Sequence, residues 1–311
     1  MGVTIGERLR HIDVCRAPGL LGSNLGGTVM VRHLYPSPLD IGRPLLVGIL
    51  NITADSFSDG GRFLAAEDAV AHARRLWSEG ADIVELGPAA SHPGAQQVTA
   101  AEEIWRLTVV IDRLVAEDVP VSVDSFLPET HRFAAARGAE YVNDIQGFPD
   151  PARYEELADT DCRLIVMHSV QRMGPATQMK TDPAAVWAGI EEFFAERLAA
   201  LETAGIGRER LVIDPGLGYF LGTSPEPSLR VLAHLEQLKA RFDVPVLVSP
   251  SRKSFLRTLT GSSLSEIGPA TLAAELYAAC HGADYIRTHD VAAIRDALTV
   301  FNALDAAKAG A

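Results

Sequence analysis

The sequence predicts an α/β chain: a single (β/α)8 TIM barrel over residues 44–311, preceded by an irregular N-terminal extension, residues 1–43. Three observations carry that expectation. Apolar, β-branched runs recur near 45–50, 82–86, 119–123, 140–143, 163–168, 210–214, 244–249 and 284–288. Their continuous apolarity marks strands buried on both faces. Helical spacing fills each interval between them, and every run ends on polar residues. A barrel of about 250 residues gathers such strand ends around one mouth. An open doubly wound sheet with a ligand at its switch point is the competing architecture, but functional groups at all eight ends favour closure.

Taken in order, the first run stops at Asn51, before a Gly-ended loop and a helix over 66–78. The second stops at Gly87, and the loop through Gly94 leads to a helix over 100–116. Asp124 closes the third, before a helix at 128–137. Asn143 and Asp144 close the fourth, before 151–158. Met167 and His168 close the fifth, before the long helix 183–204. Asp214 closes the sixth, before 227–241. Ser251, Arg252 and Lys253 follow the seventh, before 268–281. Arg287 and His289 close the eighth, and a helix over 291–307 completes the set. Pro at several helix starts and Gly after several ends (Gly80, Gly138, Gly205, Gly282) fit the needs of helix termini. Residues 1–43 show scattered Gly and Pro and no sustained period beyond a short strand at 28–33. They read either as a ribbon covering the barrel floor or as a dispensable tail.

The chain has 311 residues, 47% hydrophobic, with a formal charge of −12. That balance excludes a general nucleic-acid binder and leaves room for a local cationic pocket around a small anion. No apolar run approaches the roughly 20 residues of a membrane span, and the first 30 residues lack a signal-peptide core. Cys15, Cys162 and Cys280 show no metal spacing. An odd, sparse set fits a reducing cytosol and buried packing, so a cytoplasmic protein is expected.

The strand-end residues have a chemistry. Asp124, Asn143, Asp214 and Lys253 place two carboxylates, an amide and an ammonium around one cavity. Such a set suits a flat heterocycle with an amino-amidine edge, a pterin or a purine-like ring. The bland alternative is a barrel-stabilising ion pair such as Asp214 with Lys253. Arg287 and His289 fall where barrels commonly hold phosphate, and a guanidinium binds phosphate in bidentate fashion. Asn51, with Asp55, Ser56, Ser58 and Asp59, offers hard oxygens suited to magnesium shared with a substrate diphosphate; a solvated turn is the alternative. His168 reads as a titrating group or as a hydrogen-bonded wall residue; His92 is the better titrating candidate, in a loop with Pro93 and Gly94 whose residues would cover a substrate.

Over residues 45–300 these motifs resemble the dihydropteroate synthase family. The resemblance rests on Gly48-Ile-Leu-Asn-Ile-Thr-Ala-Asp-Ser-Phe-Ser-Asp-Gly-Gly61, Val123-Asp-Ser125, Tyr141-Val-Asn-Asp-Ile145, Asp214-Pro-Gly-Leu-Gly218, Ser251-Arg-Lys-Ser254 and Ile286-Arg-Thr-His-Asp290, in the family's order. It implies condensation of 6-hydroxymethyl-7,8-dihydropterin diphosphate with 4-aminobenzoate, in folate biosynthesis. It further implies that Asp124, Asn143, Asp214 and Lys253 hold the pterin, with Asp124 and Asp214 stabilising a pterin cation. Asn51 with Mg2+ and the cationic pair Arg287 and His289 would hold the diphosphate. Ser91, His92, Phe220, Ser251 and Arg252 would meet the aminobenzoate, and a homodimer would form through outer helices near 268–281 and 291–307.

The chain also departs from the family pattern. Gly87-Pro-Ala-Ala-Ser-His-Pro-Gly94 stands where Gly-Glu-Ser-Thr-Arg-Pro-Gly is usual, so Ser91 and His92 replace Thr and Arg. After Asp214, Gly218-Tyr-Phe-Leu221 replaces Gly-Phe-Gly-Lys, deleting a cation and adding aromatic bulk; Ala54 replaces a proline. These changes look like the divergent, sulfonamide-insensitive branch. A noncatalytic pterin-binding paralogue and a folate-dependent methyltransferase barrel are the alternatives, the latter having no need of the diphosphate pair.

Overall fold

Eight strands, all parallel, lie in the order β6-β5-β4-β3-β2-β1-β8-β7 in the computed structural model, which describes residues 43–52 and 62–309. They are β1 Leu45–Asn51, β2 Ile83–Gly87, β3 Val121–Asp124, β4 Tyr141–Asp144, β5 Arg163–Met167, β6 Leu211–Asp214, β7 Leu247–Val248 and β8 Tyr285–Thr288. The ring closes between β6 and β7 through one parallel bridge, Ile213 with Val246. All of the expected extension but Arg43, with its short strand and Cys15, and the loop residues Ala54, Asp55, Ser56, Ser58 and Asp59 lie outside the described residues.

The described residues form ten α-helices: α1 Arg62–Ser78, α2 Ala100–Ala116, α3 Pro128–Ala136, α4 Tyr154–Ala158, α5 Pro183–Thr203, α6 Glu226–Ala233, α7 Leu235–Phe242, α8 Ser254–Thr260, α9 Gly268–Cys280 and α10 Val291–Ala309. The barrel is the expected one, with three local differences. The helix expected over 227–241 breaks at His234, whose backbone leaves helical geometry (φ −129°) and whose Nδ1 lies 2.8 Å from the Arg230 carbonyl. Helix α8, too short to show a periodic pattern, starts directly after Lys253. The seventh strand shrinks to two residues. Pro245 has no N–H for a ladder, and the Val246 N–H is taken by the Asp284 carboxylate at 2.9 Å.

Side chains alternate across each strand even though both faces are apolar. Leu45, Val47, Ile83, Tyr141, Ile165, Val212, Leu247 and Tyr285 form one buried cluster, the lower layer of the barrel interior. Their neighbours, such as Leu46, Val84, Val121, Val142, Leu164 and Ile213, join the larger core under the helices. Tyr141 and Tyr285 meet edge to face at 6.1 Å, and Arg163 Nη1 donates to both hydroxyls, at 3.1 and 3.3 Å. That plug closes one end and leaves the strand C-termini as the open mouth. Cys162 is buried as expected; Cys280 is exposed, because it lies at the end of α9 on the side that also exposes Tyr277.

Gly147 turns the chain just after β4 with φ +64°, and a Cβ there would lie 2.6 Å from Phe193 Cζ and 2.7 Å from the Met167 carbonyl oxygen. Gly147→Ala is expected to lose at least about 2 kcal/mol of stability, combining left-handed strain with a clash against backbone. Urea unfolding of the two proteins measures it.

Candidate active site

The alternation that seats the lower layer also builds the site. Two residues further along the same strands come Glu85, Asn143, Met167, Asp214, Ser249 and Arg287, and Ser122 and Asp124 share that face of β3. All therefore turn toward the interior at the mouth. Arg287 lies at the centre, its side chain 14% exposed. Its Nε donates to Glu85 Oε1, and its Nη2 donates to Asp124 Oδ2 at 2.8 Å. Glu85, wholly buried, also accepts from Ser122 Oγ at 3.0 Å and from Asn143 Nδ2 at 3.1 Å. One carboxylate thus ties β2, β3, β4 and β8 together.

Sequence reasoning missed Glu85. Its signal is an acid inside the fully apolar run Ile83-Val-Glu-Leu86, since a charge buried in a strand requires a partner. The interior ion pairs among the described residues are Arg287 with Glu85 and with Asp124; Asp214 and Lys253 form none. The bland pairing is not the one realised. Arg287 is accordingly drawn inward by two carboxylates instead of lying at the rim.

Burial sets the acid–base state of the group. It raises the Asp214 carboxyl to about 6, against the Gly216 N–H bond (2.8 Å) and the attraction of Lys253. It raises Asp124 too, with Arg287 pulling the other way. It lowers Lys253 to about 8, reinforced by Arg287. The Lys253 ammonium lies 5.0 Å from the centroid of the Phe220 ring, within cation–π range. Phe220 is buried with Ile145, Met167 and Ala176. Asn143 Oδ1 and Ser249 Oγ are buried without a hydrogen-bond partner. Unpaired polar atoms at a barrel mouth are the counterparts a polar ligand supplies.

The remaining candidates divide. His289 Nδ1 lies 2.9 Å from Ser251 Oγ, which also accepts the His289 N–H at 3.2 Å. Burial, then the cations Arg252, Arg287 and Lys253, lower His289 to about 3. It is therefore a neutral donor, and the expected cationic pair has one permanent cation, Arg287. Arg252 is exposed, held at φ +58°, with its N–H on Thr271 Oγ1 at 3.2 Å. Ser91 joins the site's frame by accepting the Ala176 N–H at 3.0 Å, while His92 is exposed, its Nδ1 3.0 Å from the Pro93 carbonyl, and is not brought to the cluster. His168 is a wall residue: it is buried, lowered to about 3 chiefly by burial, and packs edge to face on Phe193 at 5.4 Å. Asn51 ends β1 exposed, and a Cβ on Gly87 would come within 3.2 Å of its Oδ1. The glycine keeps that amide oxygen accessible.

This is the barrel and mouth of a pterin-binding enzyme, and residues 47–289 match the family described as pterin binding enzyme. Over 84% of its length the chain is 54% identical to the dihydropteroate synthase type-2 of Escherichia coli, spanning 96% of that protein. It is 37% identical over 87% of its length to the dihydropteroate synthase of Escherichia coli strain K12, spanning 95% of that protein. Among solved structures it resembles the Xanthomonas albilineans dihydropteroate synthase with 4-aminobenzoic acid, at 42% identity and a TM-score of 0.75, covering 85% of this chain and 94% of that one. The chain belongs to the dihydropteroate synthase family, and it is an enzyme. None of its described helices is long and apolar enough to cross a membrane.

The Asp214 carboxyl has a sign that can be checked. Its folded value of about 6 lies above the ordinary 3.8, so the folded protein retains a proton that the unfolded chain gives up. Stability from this group is full at low pH and declines as pH rises through that interval. Asp214→Asn keeps an oxygen for the Gly216 N–H and removes the titration. Urea unfolding at pH 4 and at pH 7 should show the variant gaining on wild type by about 2 kcal/mol between the two.

Proposed function

We propose that this enzyme condenses 6-hydroxymethyl-7,8-dihydropterin diphosphate with 4-aminobenzoate in the cytoplasm, releasing 7,8-dihydropteroate and diphosphate. The observation that carries the reading is the interior set Asp124, Asn143, Asp214 and Lys253, with Asn143 Oδ1 buried and unpartnered. A pterin presents adjacent N–H donors and ring acceptors, which match carboxylate, amide oxygen and ammonium.

The mechanism follows from charge. The C–O bond to diphosphate breaks with its electron pair leaving on oxygen, and the pterin methylene becomes a delocalised cation. Asp124 and Asp214 lie in a desolvated site where fixed negative charge stabilises it strongly. The aminobenzoate nitrogen then forms the C–N bond and loses a proton. Arg287 and the neutral His289 donate hydrogen bonds to the diphosphate. Among the described residues no cluster of three or more His, Cys, Asp or Glu could hold a metal. Asn51 Oδ1 is a hard oxygen that would hold magnesium arriving with the substrate, and the ion would supply charge neutralisation to the leaving group.

The reading extends to sulfonamide insensitivity. Phe220 is held by Ile145, Met167 and Ala176 and adjoins Lys253, so its bulk is fixed beside the aminobenzoate subsite formed with Ser91, Ser251 and Arg252. A drug that projects beyond the substrate's volume is excluded there by shape. The higher identity to the type-2 synthase, 54% against 37% for the K12 enzyme, supports it. Tyr277 on α9 and Val300, Phe301 and Leu304 on α10 are exposed apolar side chains, which support a homodimer through these helices.

Dihydropteroate formation with magnesium tests the proposal. Wild type should turn over at sulfonamide levels that stop a sensitive synthase, and Phe220→Ala should restore inhibition. Asp124→Ala, Asp214→Ala and Lys253→Ala should each lower kcat/KM by about 100-fold or more. Pterin binding without turnover would instead leave a binding protein.

A further inference from the structure

Helix α2 contributes no residue to the set that faces the pterin, yet its inner face carries two buried charged side chains one turn apart, Glu103 and Arg106. A carboxyl in that setting is costly unless its bonds are filled. Glu103, 1% exposed, accepts at Oε2 from Ser125 Oγ (2.6 Å) and from Thr130 Oγ1 (2.7 Å). Ser125 directly follows Asp124, and all its polar atoms are engaged. Its N–H donates to the Asn143 carbonyl (3.0 Å), its Oγ accepts the Leu127 N–H (3.1 Å), and its carbonyl accepts from His131 Nε2 (2.6 Å). Ser125 is therefore the knot between the strand ends that present Asp124 and Asn143, and Glu103 anchors that knot to the helix.

Arg106 does the corresponding thing on the other side. It is 4% exposed; its Nη1 donates to the Pro88 carbonyl and its Nη2 to Glu102. Pro88 opens the loop after β2, whose Ser91 borders the aminobenzoate subsite. The nitrogen that attacks and the methylene that receives it must meet within a few tenths of an ångström, since a misplacement of about 1 Å costs on the order of 100-fold in rate. The two supports of that geometry lie on one rigid helix.

We propose that Glu103 and Arg106 are positioning residues. Glu103 fixes Asp124 and Asn143 of the pterin half through Ser125, and Arg106 fixes the loop after β2 of the aminobenzoate half through Pro88. The inference rests on the synthase reading above. It implies that the two halves can be loosened separately.

Steady-state kinetics with each substrate varied tests it. Glu103→Ala should raise KM for the pterin diphosphate roughly tenfold and leave KM for 4-aminobenzoate within about twofold, and Glu103→Gln, which keeps an oxygen for both hydroxyls, should restore most of the loss. Arg106→Lys, which keeps the charge and loses the fork, should show the opposite split. Should Glu103→Ala fail to fold, Ser125→Ala and Thr130→Ala remove the same contacts singly and should give the same pterin-selective rise, smaller in size. Equal shifts in both KM values, a fall in kcat alone that tracks the loss of thermal stability, or no change overturns the positioning role. Wild type in the same assay keeps the two readings apart: an inactive wild type overturns the synthase proposal, whereas an active wild type with unselective variants overturns only this one.

Discussion

Arg287, held inside the barrel between Glu85 and Asp124, is the interaction on which the site depends. A buried guanidinium is tolerated only when its charge and its donors are both met, because removing one partner leaves an uncompensated ion in low dielectric. Glu85 meets it from below and draws in Ser122 and Asn143; Asp124 meets it from the side. The strand ends from β2 to β4 are thereby referred to a residue on β8. The ring would not need to close so accurately for packing alone, since apolar layers tolerate exchange more readily than a shared ion pair does.

The charge count of the interior then explains its chemistry. Glu85, Asp124 and Asp214 face Arg287 and Lys253, so full ionisation leaves one negative charge in excess. The raised Asp214 and Asp124 carboxyls and the lowered Lys253 ammonium express that excess, each displaced mainly by burial. Keeping these carboxylates buried and ionised costs the protein stability at neutral pH. The neutrality of His289 follows from the same crowding, because burial and the neighbouring cations Arg252, Arg287 and Lys253 oppose a further positive charge there.

Rigidity comes from the second tier of contacts. The Tyr141, Tyr285 and Arg163 plug closes the floor, Phe220 packs with Ile145, Met167 and Ala176, and α2 holds the end of β3 through Ser125 and the loop after β2 through Pro88.

Local pattern was enough to read eight strands, most helices and nearly all the strand-end groups, because burial on both faces and the periods of helix and strand are encoded within a few residues of each other. Asp124, Asn143, Asp214, Lys253 and Arg287 were legible for that reason, and the alternation within each strand carried them inward. The role of Glu85 was not, although the acid itself stands out in its run: its partner lies 202 residues away and becomes a neighbour only when the ring closes. The same holds for the inward turn of Arg287, the neutrality of His289, the shortened β7 and the break at His234. Those features depend on which charges and donors the fold brings together, and the desolvation that sets them exists only after the barrel has formed.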